Sequence, residues 1–174
     1  MEIEIKFKIL DANIVRHTLK IIRAIKVSKK KEVDIYFDTY EQRLLKNEIL
    51  CRLRKIDTAG ILSIKEKTRK SKYFKIREEI EVKVSDFQKA KQCLEALGFK
   101  VSGGKEKIRE FYTYKKTKIC IDTLPKIGSF LEIEGTKKSI IEVSKKLGFD
   151  YRKGITKSYD ELLKEDMRNV SCLS

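Results

Sequence analysis

Like charges recur two residues apart along this chain, and a large apolar side chain separates most of the pairs. Glu2 and Glu4 flank Ile3, Arg52 and Arg54 flank Leu53, and Glu79 and Glu81 flank Ile80. Lys107 and Arg109 flank Ile108, Glu132 and Glu134 flank Ile133, and Lys65 and Lys67 stand either side of Glu66. A helix would spread such residues around its axis. A strand puts i and i+2 on one face, about 6–7 Å apart, with the intervening residue on the other. The pattern therefore predicts strands with one apolar and one ionic face, each ionic face mostly of a single sign.

Strands are expected at Glu2–Ile9, Val33–Asp38, Ile49–Lys55, Ile61–Lys67, Lys75–Val84, Lys107–Thr113, Lys118–Thr123 and Phe130–Glu134, with a hairpin loop over Lys67–Lys72. Helices are expected between them. Asp11 caps one whose apolar positions include Ile14, Val15, Ile21, Ile22 and Ile25. Ser85 with Gln88 forms a capping box for a second, with Phe87, Ala90, Leu94 and Leu97 as its stripe and Gly98 as its stop. A third spans roughly Lys137–Leu147. A Glu-x-Glu strand precedes a helix three times, and two of those helices run into Leu-Gly-Phe, at Leu97–Phe99 and Leu147–Phe149. This internal echo gives the chain an approximate twofold character.

The 174 residues suit a single domain over 1–174 with a real core, and 8 Gly and 1 Pro exclude linker-like and collagen-like chains. The longest uncharged stretch, Thr58–Ile64, is far too short to span a membrane. Met1 is followed at once by Glu2, Glu4 and Lys6, which is no signal-peptide pattern, so a cytoplasmic protein is expected. Cys51, Cys93, Cys120 and Cys172 form no CxxC pair and match no zinc spacing, so reduced, mostly buried thiols are expected. His17 has no partners for a triad or a zinc site and reads as structural. Abundant Lys and Glu fit a heat-adapted (thermophile) protein.

A net charge of +15 implies a polyanionic partner or a lysine-rich surface without one. Two arrangements of the ionic faces follow. In one, they meet solvent and cross-match between neighbouring strands. In the other, the sheet curls around them and the helices cover its apolar outside. Enclosed charge without compensation is very costly, so the second arrangement is hard to explain except as a binding site. Clustered carboxylates suit a hard divalent cation such as Mg²⁺ or Mn²⁺, and clustered Arg and Lys suit phosphate oxygens. Both on one face point to a metal-bridged polyphosphate.

Glu2-x-Glu4-x-Lys6 at the N-terminus resembles the ExExK signature of the CYTH superfamily, the triphosphate tunnel metalloenzymes. The resemblance continues in order through Asp34–Thr39, Cys51-Arg52-Leu53-Arg54, Leu62-Ser63-Ile64-Lys65, Arg77-x-Glu79-x-Glu81, Lys107-x-Arg109, Ile121-Asp122 and Leu131-Glu132-Ile133-Glu134. One departure is Glu66, where Lys65 is often followed by Gly; alternation points Glu66 outward.

The resemblance implies an α+β fold: an eight-stranded antiparallel β-barrel, or tunnel, with a charged interior and helices packed outside. It implies that Glu2, Glu4, Glu132 and Glu134 help hold Mg²⁺ or Mn²⁺, with Asp122, Glu79 and Glu81 as further metal candidates. Lys6, Arg52, Arg54, Lys65, Arg77, Lys107 and Arg109 would hold the triphosphate, and Glu2, Glu4, Lys6, Arg54 and Lys107 are the catalytic candidates. The family resemblance implies either a class IV adenylyl cyclase of the CyaB type, turning ATP into cyclic AMP and pyrophosphate, or a triphosphatase acting on inorganic tripolyphosphate or thiamine triphosphate. The tail from Lys157 to Leu163 resembles the cyclase branch. The expected partner is a small-molecule triphosphate, ATP or tripolyphosphate, with no nucleic acid and no membrane; a homodimer fits the same branch. A nucleic-acid module, against which Tyr36, Tyr73, Phe74 and Tyr112 form no stacking motif, and a non-catalytic polyphosphate sensor are the rival classes.

Overall fold

The computed structural model describes residues 1–56, 58–66, 69 and 71–171. Lys67, within the expected hairpin loop, and Cys172 lie outside the described residues. In chain order the elements are β1 (Glu2–Ile9), α1 (Ala12–Ile21), β2 (Ile25–Asp38), α2 (Arg43–Lys46), β3 (Leu50–Ile56), β4 (Ala59–Lys65), β5 (Lys75–Arg77), β6 (Glu79–Val84), α3 (Phe87–Ala96), β7 (Lys100–Tyr114), β8 (Thr117–Leu124), β9 (Gly128–Glu134), α4 (Lys137–Lys146) and α5 (Tyr159–Ser171), with a 3-10 turn at Tyr151–Lys153 before α5.

The fold is α+β, with one sheet in the order β5-β1-β9-β8-β7-β2-β3-β4-β6. It has nine strands where eight are expected, because Lys75–Val84 breaks at Glu78. There the carboxylate takes the N-terminal ammonium at 3.0 Å and Arg69 at 2.7 Å, and the carbonyl accepts from the Glu66 amide.

The chain forms two compact units. One comprises Glu2–Lys30, Lys70–Ile76 and Lys107–Ser174. In it β1, β9, β8 and β7 pair antiparallel, Glu4 facing Glu134, Lys6 facing Glu132 and Arg109 facing Asp122. Ile5, Phe7, Ile119, Ile121, Leu131 and Ile133 line the apolar face, and Val15 and Leu19 of α1 and Ile140 and Val143 of α4 cover it. Leu124, Ile127, Phe130 and Tyr159 form a smaller core under α5.

The other unit comprises Met1, Lys31–Arg69 and Arg77–Glu106. Its β2, β3, β4 and β6 pair antiparallel, Asp34 facing Arg54 and Lys65 facing Glu79. Phe37, Cys51 and Leu53 pack with Phe87 and Leu94 of α3. At Gly60 a Cβ would stand 2.9 Å from the Arg54 carbonyl, so the β3–β4 hairpin requires glycine at this close approach.

Several local expectations are corrected. The cap of α3 is Asp86, which accepts from the Lys89 amide, and not Ser85. Leu97 is exposed beyond the end of that helix. In α1 the buried residues are Val15 and Leu19, while Ile14 and Ile21 face outward and Ile25 already begins β2. His17 is exposed. Cys51 and Cys120 are buried free thiols, and Cys93 is exposed. No helix among the described residues is long and apolar enough to cross a membrane.

Candidate active site

At the middle of β1 the residues between the core positions are buried too: Lys6 is 2 % exposed and Glu4 7 %, while Lys8 is exposed. There both faces of the strand are withdrawn from water, one against helices and one against other charges. Lys107, Asp122 and Glu132 of the same unit are likewise buried, at 4, 0 and 6 % exposure.

Their contacts form one connected group. The Lys6 ammonium donates to Glu4 Oε1 at 2.6 Å and lies 3.4 Å from Glu132 Oε2. Lys75 of β5 reaches Glu4 Oε1 at 3.2 Å. Arg109 forks onto Asp122, Nε to Oδ1 at 2.7 Å and Nη2 to Oδ2 at 2.5 Å, and spans to Glu132 Oε1 at 2.8 Å. Lys107 donates to Asp122 Oδ2 at 2.8 Å, and the Tyr159 hydroxyl donates to the same oxygen at 2.9 Å. Lys6, Lys75, Lys107 and Arg109 thus meet Glu4, Asp122 and Glu132, leaving this named set one positive charge in excess.

Burial alone would discharge such groups, and the ion pairs reverse it. Burial lowers the Lys6 ammonium, but Glu4 and Glu132 outweigh it and hold its pKa above the ordinary lysine range. Burial raises Asp122 and Glu132, yet Arg109, with Lys107 and for Glu132 also Lys6, holds both carboxyls below their usual range. Cys120, on the same face, has its thiol pushed up to about 12 by burial and is no nucleophile at neutral pH.

Glu134 moves the other way. Burial, with Glu2 and Glu132 nearby, raises its carboxyl even though Lys118 stands at 2.7 Å. Glu2, Glu4, Glu132 and Glu134 sit on adjacent strands and offer only hard oxygen donors, and a divalent cation would offset both the burial and, to a lesser degree, the neighbouring carboxylates that raise Glu134. That donor set fits Mg²⁺ or Mn²⁺. Among the described residues no three His, Cys, Asp or Glu groups already stand together at ligating distance, and the paired carboxylates are turned onto lysine and arginine.

The second unit carries its own network. Arg54 forks onto Asp34 at 2.7 and 3.0 Å and meets Glu32 at 3.0 Å. Arg52 donates to Ser63 Oγ at 3.0 Å, to Glu79 at 3.1 Å and to Glu81 at 3.2 Å. Lys65 donates to Glu79 at 2.8 Å. Burial would raise Asp34, but Arg54 dominates and brings its carboxyl down to about 2.

The residues singled out from sequence therefore assemble as two groups. Glu2, Glu4, Lys6, Lys107, Arg109, Asp122, Glu132 and Glu134 belong to the first unit, and Arg52, Arg54, Lys65, Glu79 and Glu81 to the network of the second. Arg77 is half-buried at the end of β5. Asp122 is enclosed by Lys107, Arg109 and Tyr159, and Glu79 and Glu81 engage Arg52.

Five participants were not among the expected site residues. Lys75, Glu32 and Asp34 carried the same signal as the rest, since Lys75/Arg77 and Glu32/Asp34 are like-charged pairs two apart. Ser63 and Tyr159 lie within stretches that carry the family resemblance, but as single neutral side chains they show no charge pattern.

An antiparallel α+β protein whose sheet carries an ordered, buried acid–base face is the class that fold and site define. Within it the chain belongs to the CYTH domain family, whose model matches residues 1–158. A Methanocaldococcus jannaschii protein named "putative adenylate cyclase" is 37% identical over 147 residues, covering 84% of this chain and 81% of its own. A solved Pyrococcus horikoshii structure matches with TM-score 0.79 at 27% identity, covering 93% of this chain and 99% of that one. A Hippeastrum protein, described as a "putative adenylyl cyclase" with a dominant triphosphatase activity, shares the fold with TM-score 0.68 at 18% identity, covering 86% and 89%.

Proposed function

We propose that this chain is a metal-dependent enzyme acting on a triphosphate, of the class IV adenylyl cyclase type, converting ATP to cyclic AMP and pyrophosphate. The observation that carries this reading is the gathering of Lys6, Lys75, Lys107 and Arg109 in one buried group. So much enclosed cationic charge is costly to maintain, and phosphate oxygens are the partners its geometry suits. Lys6, Lys107 and Arg109, with Arg52, Arg54, Lys65 and Arg77, would bind the phosphates, and the carboxylates that hold them now keep each base oriented until the substrate displaces it. Mg²⁺ or Mn²⁺ would be held by Glu2, Glu4, Glu132 and Glu134 and would neutralise phosphate charge. The bases then stabilise the charge that builds on the departing pyrophosphate as the ribose 3′-oxygen bonds to the α-phosphorus.

A triphosphatase is the second reading, favoured by the activity ascribed to the Hippeastrum neighbour. Incubation with ATP and with tripolyphosphate, each with Mg²⁺ or Mn²⁺, separates the two. Cyclic AMP and pyrophosphate are expected from ATP. Orthophosphate from tripolyphosphate without cyclic AMP would select the triphosphatase, and no turnover of either would reject both.

A further inference from the structure

Among the described residues, backbone pairing joins the C-terminal segment to β1 at Lys6. The Lys6 amide donates to the Ile155 carbonyl at 3.2 Å, and the Ile155 amide donates back to the Lys6 carbonyl at 2.7 Å. Gly154 permits this approach, since a Cβ there would collide with the Ile5 side chain. Four residues further on, α5 begins with Tyr159, which is 4 % exposed.

The Tyr159 ring meets Phe130 edge-on, with centroids 5.3 Å apart, which accounts for its apolar side. Beyond the small core under α5, Tyr159 also makes polar and ionic contacts. Lys6 Nζ stands 5.3 Å and Lys107 Nζ 5.2 Å from the ring centroid, and the hydroxyl donates to Asp122 Oδ2. That oxygen already accepts from Lys107 and Arg109. A buried hydroxyl needs a partner, and the one this hydroxyl takes is the carboxylate that also orients Lys107 and Arg109. A third donor weakens the grip of Asp122 on Lys107, and the ring's π-face stabilises two neighbouring ammonium groups that would otherwise repel.

We propose that Tyr159 is a positioning residue: its hydroxyl on Asp122 and its ring against Lys6 and Lys107 hold the two ammonium groups apart and ready for phosphate oxygens. This rests on the triphosphate-binding reading above. Through the Ile155 pairing, the same tail fixes the backbone and the side chain of Lys6 together.

The test is the affinity of the full chain for inorganic tripolyphosphate by calorimetry without divalent metal, alongside steady-state kcat and KM with metal. Y159F, Y159L and the packing control L162A are compared, Leu162 lying in the same small core as Tyr159. Y159F is expected to weaken binding and raise KM about threefold to tenfold with kcat and melting temperature little changed. Y159L is expected to weaken binding more than thirtyfold, and L162A to lower the melting temperature with affinity retained. If Y159F binds as the wild type and Y159L loses affinity only in step with its melting temperature, as L162A does, Tyr159 is packing alone. If the wild type itself does not bind tripolyphosphate, the triphosphate reading fails and the proposal with it.

Discussion

Glu110 lies on the helix-facing side of β7, buried beside the core and away from the candidate site. Arg16 of α1 forks onto both its oxygens, and Lys26 and the Tyr112 hydroxyl donate at 3.1 and 3.0 Å. Arg16 above all, against the pull of burial, brings its carboxyl down to about 2. A folded-state pKa below the unfolded value of about 4.3 means stability that is full above roughly pH 4.5 and lost as pH falls toward 2. The magnitude is of order 3 kcal/mol near neutrality. E110Q should therefore be less stable than the wild type at pH 7, with the gap closing between about pH 4.5 and 2 in denaturant titrations. A gap that stays constant with pH would show that the carboxylate is not anchoring α1.

Lys75 tests the site at the same scale. It shares Glu4 with Lys6, so its removal leaves that carboxylate still paired. A charge-assisted hydrogen bond to phosphate is worth about 1.5–3 kcal/mol. K75A should weaken tripolyphosphate binding roughly tenfold to a hundredfold, by that same range, with a melting temperature close to wild type. Unchanged affinity would show that Lys75, although gathered with these bases, does not touch the phosphates. Like-charged pairs made most of these residues legible beforehand, but the sign of a pair did not reveal its partner. Asp122 faces Arg109 only because β7 and β8 adopt one particular register.

At the scale of elements, helix ends follow short-range rules. Asp11, Asp86 and Thr136 each accept a backbone amide at the start of a helix. Gly98 and Gly148 close α3 and α4 at φ +88° and +83°, and the following Phe amides return to Leu94 and Ser144. The Leu-Gly-Phe echo is thus a repeated stop signal, legible because only glycine takes this left-handed conformation at little cost. D86A should cost about 1 kcal/mol in unfolding free energy, and S85A should cost little. The reverse order would restore the capping box expected from sequence.

What escaped prediction lacked a one-sided burial pattern. The first half of β2 is largely exposed, with Ile25 and Val27 in solvent, so no alternation marks it. The four-residue α2 is built around Asp38, which accepts from the Leu44 and Leu45 amides across the turn. Strict alternation, by contrast, located β1, β3, β4, β8 and β9 to within about two residues.

At the scale of the whole molecule, a net charge of +15 left open whether the bases form a wet, lysine-rich surface or a built site. Burial of Lys6, Lys107, Asp122 and Glu132 argues for the second. Exposed charges are screened within about 8 Å at physiological ionic strength, whereas buried pairs are screened much less. The direct measurement is a calorimetric titration of tripolyphosphate at about 0.15 M and about 0.5 M salt, with and without Mg²⁺. The account predicts one site per chain, tightened by Mg²⁺ and largely preserved at the higher salt. Weak binding of many anions per chain that vanishes with salt and ignores Mg²⁺ would contradict it.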